Sequence, residues 1–126
     1  MKAYLLSVLT LLAVLSLALW NNASMTERTQ RWQSQLDRVE SLGESGAWEE
    51  ADTALKESYD DWSASQTYLH IVSQHDAVDD AEAMYRRAMA FADTRELSEF
   101  RAELSDLRDQ LRLLAEMERL NLKNVL

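Results

Sequence analysis

The chain of 126 residues contains no cysteine, no proline and only two glycines. Zero cysteine excludes disulfides, thiolate zinc sites, iron–sulfur clusters and cysteine nucleophiles. Both glycines, Gly43 and Gly46, lie in the first half, which excludes Gly-rich phosphate loops and argues against a sheet fold with many tight turns. Basic residues are outnumbered, 13 Lys plus Arg against 22 Asp plus Glu, for a net charge of −9. That balance disfavours nonspecific contact with phosphate backbones, so no nucleic-acid partner is expected.

What the chain does have begins with an uncharged run, Ala3 to Trp20, interrupted by Ser7, Thr10 and Ser16. As a helix its 18 residues span ~27 Å, close to a hydrocarbon core of about 30 Å. Tyr4 and Trp20 sit at its two ends, where interfacial aromatics belong. Three readings are open: an uncleaved membrane anchor, a cleaved signal peptide, and a buried helix of a soluble fold. The best cleavage site, Ser16-x-Ala18, lies inside the apolar run, which favours the anchor. Lys2 precedes the span and no positive residue follows it until Arg28, so the positive-inside rule favours a cytoplasmic N-terminus and an extracytoplasmic C-terminal domain in the cell membrane. The expected division is a membrane anchor over residues 1–22, meeting lipid through residues 3–20, and a helical bundle domain over residues 23–126.

The bundle follows from spacing. From Ala47 to Leu126 there is neither Gly nor Pro, and apolar residues recur at helical intervals. A first stretch carries Met25, Thr29, Trp32, Leu36 and Val39 and is expected to stop around Leu42 and Gly43. A second carries Trp48, Ala51, Leu55, Tyr59 and Trp62, with a possible continuation through Leu69 and Val72. A turn is expected at Gln74-His75-Asp76, with Asp76 as N-cap. A third stretch carries Val78, Ala81, Tyr85, Ala88 and Phe91 or Ala92, and Asp93-Thr94 with Glu96 offers a capping box. The fourth, Leu97, Phe100, Leu104, Leu107, Leu111 and Leu114, is the cleanest heptad, and Met117 and Leu120 extend it. The expected fold is all-α: a transmembrane helix followed by about four antiparallel helices in two hairpins.

A shift of 49 residues places Leu36 on Tyr85, Leu42 on Phe91, Trp48 on Leu97, Ala51 on Phe100 and Leu55 on Leu104. Heptads produce matches at any multiple of seven, so the repeat is suggestive of two related hairpins. Gly46-x-Trp48-x-x-Ala51 echoes the opening of tetratricopeptide-like helices, but two hairpins are too few for a solenoid.

The chain also resembles a family of small membrane-anchored bacterial proteins, domain of unknown function family 4363, common in clostridia and their relatives. The resemblance runs from the short basic start and apolar span through Gly46-x-Trp48-Glu49-Glu50-Ala51. It continues through Trp62 and the apolar stretch to His75, and through the acid-rich helix after His75. It ends on the Glu/Leu-rich last helix and the closing Leu120-Asn121-Leu122-Lys123-Asn124-Val125-Leu126. This chain is richer in Ala, Arg and Asp than the Lys- and Ile-rich members. The resemblance implies a single-pass membrane protein and transfers no active site.

No reactive constellation emerges. His70 and His75 are five residues apart, not the i, i+4 pair that shares one helical face, and no Glu-x-x-His element occurs. The adjacent carboxylates Glu49-Glu50, Asp60-Asp61 and Asp79-Asp80 point about 100° apart on a helix and read as solvated faces. No catalytic, metal or cofactor-binding residue is assigned, no cofactor is expected, and enzymatic activity is not expected. Arg86, Arg87, Arg95, Arg101, Arg108 and Arg112 are expected to pair with acids three or four positions away. The remaining feature is aromatic: Trp32, Trp48, Trp62 and Tyr85 are either core residues or the lining of an interaction surface. The expected function is a non-enzymatic, membrane-anchored interaction or scaffold module with a protein partner or self-association. The alternatives are an extracytoplasmic ligand-sensing or solute-binding bundle, and a secreted helical protein released from its signal peptide.

Overall fold

A computed structural model describes residues 2–65 and 75–125, apart from the side chains at 21–25, 75, 118, 119 and 121–125. Four α-helices account for nearly all of the described residues: α1 Lys2–Glu44, α2 Trp48–Ala64, α3 His75–Thr94 and α4 Leu97–Val125. Among the described residues there is no strand. The chain is all-α, as its spacing predicts. Leu69, His70, Val72 and Gln74 lie outside the described residues.

The apolar span and the first amphipathic stretch form one helix of 43 residues rather than two elements. The intervening Asn21-Asn22-Ala23-Ser24 holds neither Gly nor Pro and so nothing that must interrupt a helical ladder. At 1.5 Å per residue, α1 is about 65 Å long. It also outlasts its expected stop, because the terminating residue is Gly46, at φ +81°, and not Gly43. Gly46 donates its N–H to the Gly43 carbonyl at 3.0 Å and Ala47 donates to Leu42 at 2.9 Å, the paired bonds of a Schellman cap.

The end of α3 repeats this turn. Arg95 takes the left-handed position at φ 58°; its N–H reaches the Ala92 carbonyl at 3.2 Å and that of Glu96 reaches Phe91 at 3.0 Å. The capping box expected at Asp93-Thr94-Glu96 does not form. The Thr94 hydroxyl lies 2.7 Å from the Glu96 carboxylate and 3.2 Å from the Ala90 carbonyl, so it serves the end of α3 instead of opening α4. Asp76 is likewise within α3 and not ahead of it, since His75 is already helical.

These two turns are 49 residues apart, position for position. Buried positions 32, 36, 39, 43, 51, 55, 58 and 62 recur, each displaced by 49, at 81, 85, 88, 92, 100, 104, 107 and 111, all buried. A heptad shift can superimpose stripes, but it does not superimpose two Schellman caps with the same pair of bonds. The domain is therefore built from two equivalent helix pairs, the second half of α1 with α2 and α3 with α4. Each helix packs on two others, α1 on α2 and α4, and α3 on α2 and α4. The interior holds Trp32, Leu36, Leu55, Trp62, Tyr85, Phe100, Leu104, Leu107, Leu111 and Leu114 with Val and Ala between them. Small residues opposite large ones let the helices approach: a Cβ on Gly43 would stand 2.7 Å from Phe100 Cε1.

Candidate functional site

The aromatic candidates divide. Trp32, Trp62 and Tyr85 are at most 1 % exposed, so for these three the interaction-surface reading is corrected: they are core. Heptad spacing turned them inward, and burial of each removes a large apolar area from water. Trp62 and Tyr85 stack at 5.4 Å between centroids, and Tyr59 meets Tyr85 edge-on at 5.5 Å. The Tyr85 hydroxyl pairs with Ser58 Oγ at 3.0 Å, both inside the core. Burial pushes the Tyr85 phenol well above its usual range, against the lowering effect of the Ser58 hydrogen bond. Ser58 escaped the sequence reading, which placed Tyr59 on the buried stripe. Tyr59 instead lies at its edge, donating its hydroxyl to Glu82 at 3.0 Å.

Trp48, by contrast, is only half-buried, packed against the edge of the core. It opens α2 beside the α1–α2 turn, packs edge-on against Phe100 at 5.3 Å, and keeps part of its ring in solvent. With Glu49, Asp52, Ala92, Asp93 and Arg95 it lines a shallow depression that joins the two Schellman turns.

The charged residues also depart from the expected local pairing. Arg86 with Glu82 and Arg112 with Asp109 follow it. Most of the remaining pairs tie different helices together. Arg31 holds Asp61 with two nitrogens at 2.7 and 2.9 Å, and Gln35 adds a bond at 3.1 Å. Burial raises the Asp61 carboxyl, but the hydrogen bonds from Arg31 and Gln35 and the Arg31 charge outweigh it and hold it below its ordinary value. Arg87 bonds Glu103 at 2.7 Å across α3 and α4. Glu40 takes Arg108 at 2.8 Å and Arg101 at 3.2 Å between α1 and α4. Burial opposes its ionisation, and the two guanidinium groups overcome it, so it too is lowered. Asp61 is thus a structural ligand and not a member of a solvated acidic pair. Among the described residues no cluster of three His, Asp or Glu is arranged to hold a metal ion. His70 lies outside them, as does the side chain of His75.

The most distinctive surface is the first half of α1. Lys2–Trp20 is long and apolar enough to cross a membrane, or to serve as a signal sequence, and none of it packs into the bundle. Leu5, Leu6, Leu11, Leu17 and Leu19 are each more than 60 % exposed, a continuous apolar surface far beyond what a soluble monomer tolerates. Two of its hydroxyls are satisfied internally: Ser7 donates to the Ala3 carbonyl at 3.0 Å and Thr10 to Leu6 at 2.9 Å. A helix, which meets its interior backbone donors within itself, suits a hydrocarbon environment.

No curated protein and no solved structure matches the chain. A family model, Domain of unknown function (DUF4363), matches residues 19–125, which is the whole bundle and the end of the apolar span. The chain therefore belongs to that family.

Proposed function

We propose that this protein is a non-enzymatic, membrane-anchored helical module that presents an antiparallel bundle outside the cytoplasm to a protein partner or to a second copy. The observation that carries this reading is the continuity of α1. The helix that would lie in lipid is the same helix that carries Trp32, Leu36 and Val39 into the core, so the bundle would be held rigidly at a set height above the bilayer. The antiparallel order is supported by the interhelical pairs: Arg31 with Asp61 and Gly43 near Trp48 for α1 and α2, Gln33 with Arg108 and Glu40 with Arg101 for α1 and α4. On this reading that order would put both Schellman turns, and the half-exposed Trp48, at the end of the bundle away from the membrane. Of the four aromatic candidates, Trp48 is the one available for recognition. The location of the domain outside the cytoplasm is supported by Lys2 ahead of an uncharged flank.

Membrane extraction tests the anchor. The protein should stay in the pellet after alkaline carbonate washing, and its intact mass should include residues 1–18. A soluble product whose N-terminus lies at or beyond Leu19 would favour the cleaved-signal reading instead.

A further inference from the structure

The two helices at the ends of the domain share a register that runs on past the core. Gln33 Nε2 bonds the Arg108 carbonyl at 2.9 Å, and Glu40 and Glu44 meet Arg101 seven positions earlier on α4. One step along α1 is matched by one step back along α4. Continued at 1.5 Å per residue, this register sets Arg28 level with Leu113 and Trp20 level with Asn121. On the other side of the bundle, Gln110 bonds the Ala77 carbonyl at 2.9 Å, so the start of α3 at His75 lies level with about Arg112. The helix α4 continues to Val125. Its final turns thus reach the height at which the apolar span ends, near Trp20.

The exposed residues of these turns are unusual for a solvated helix. Leu113 is 46 % and Leu120 59 % exposed, and seven positions apart they stand on one face, two turns from each other. The positions after Leu120 are Asn121, Leu122, Lys123, Asn124 and Val125, apolar and basic with no acid. The headgroup layer beyond the hydrocarbon is ~5–7 Å thick, four or five residues of helix. With Lys2–Trp20 in the bilayer, Leu120 would fall within that layer.

We propose that the far end of α4, centred on Leu120, is a second membrane contact: it rests in the headgroup layer beside Trp20 and binds the lipid surface. The proposal rests on the anchor reading of Lys2–Trp20. A lipid surface fits better than a second copy because the exposed Leu120 stands level with the end of the apolar span, and the sequence after it adds Leu122, Lys123 and Val125 with no acid. The consequence is a domain fixed to the bilayer at two points, which would set its tilt as well as its height.

The absence of cysteine makes the test clean. Single nitroxide labels at Leu12→Cys, Leu120→Cys and Asp109→Cys are placed in the full chain reconstituted into vesicles of phosphatidylcholine and phosphatidylglycerol. Collisions with oxygen, which partitions into lipid, are compared with collisions with a water-soluble nickel complex. Labels at 12 and 120 should favour oxygen, and the label at 109 should favour nickel. A label at 120 that behaves like the one at 109 overturns the proposal while leaving the anchor intact. A label at 120 shielded from both reagents overturns it in favour of a protein contact. A label at 12 that is open to nickel defeats the anchor reading and the proposal with it. Leu120 is exposed, so its replacement leaves the core untouched, and an unchanged helical circular-dichroism signal verifies this.

Discussion

Replacing Gly43 by alanine should destabilise the bundle, although alanine is the better helix former. Gly43 is inside α1, where Gly→Ala ordinarily gains up to about 1 kcal/mol. Here the new Cβ would stand 2.7 Å from Phe100 Cε1 and 3.1 Å from Cδ1. Phe100 cannot swing away cheaply, because it is fully buried and braced edge-on by Trp48. Overpacking a fitted core costs about 1–3 kcal/mol. The steric term therefore outweighs propensity, and a net loss of ~1 kcal/mol corresponds to a Tm about 4–8 °C lower in a domain of this size. Thermal melts followed by circular dichroism at 222 nm measure it. The mechanism is isolated by repeating the substitution in a Phe100→Leu background. There the penalty should vanish or turn into a gain, a coupling expected only of residues in contact. Gly46→Ala is the contrast. Nothing lies within 4 Å of its Cβ position, but φ is +81°, so its cost of about 1–2 kcal/mol is backbone strain and should be the same in both backgrounds. A more stable Gly43→Ala protein, or a penalty unchanged by Phe100→Leu, would refute the reasoning.

Four further outcomes follow from the interior and the ion pairs. Tyr85→Phe leaves the Ser58 hydroxyl buried without its partner and should cost about 1–3 kcal/mol, less when Ser58→Ala is also present, as urea melts of the four proteins would measure. The raised Tyr85 phenol makes the folded state hold its proton longer than the unfolded state, so stability should be complete below the ordinary phenol value of 10.0 and fall as pH rises past it; tyrosinate absorbance for this residue should appear only with unfolding. The lowered Asp61 and Glu40 carboxyls act in the opposite direction: their contribution is present above the ordinary values of 3.8 and 4.5 and lost as pH falls below them, so Asp61→Asn should flatten the acid limb of a Tm-versus-pH curve. Leu104→Ala, fully buried, should cost about 2–5 kcal/mol, whereas Asp109→Ala on the exposed face of the same helix should change stability by less than about 0.5 kcal/mol in the same melts.

The stripes of the last two helices were legible because their apolar residues repeat in threes and fours: Val78, Ala81, Tyr85 and Ala88 on α3, and Phe100, Leu104, Leu107, Leu111 and Leu114 on α4, are all buried, while Leu97 at the head of the α4 stripe is exposed. The ends of elements were less legible. Arg95 occupies a left-handed site where glycine is the usual signal, so the second turn left no mark in the composition. The junction of span and bundle was invisible for a related reason, since a helix that simply continues needs no residue of its own. Ser58 was missed because a hydroxyl at a core position makes sense only with its partner, and Tyr85 lies 27 residues away. Ion pairing was misplaced for the same cause: Arg31 with Asp61 and Arg108 with Glu40 depend on helix order, whereas i, i+4 spacing is local. The aromatic candidates show where spacing runs out, for Trp32 and Trp48 look alike in the sequence and only packing separates a sealed indole from one left at an edge.

The central claim, a bundle held outside the cytoplasm by the first half of α1, is tested most directly by labelling Asp109→Cys in the otherwise cysteine-free chain with a membrane-impermeant maleimide. Asp109 is exposed and lies on α4 beyond the span. Full labelling is expected in intact cells, before any lysis. Labelling that appears only after the cells are opened would contradict it.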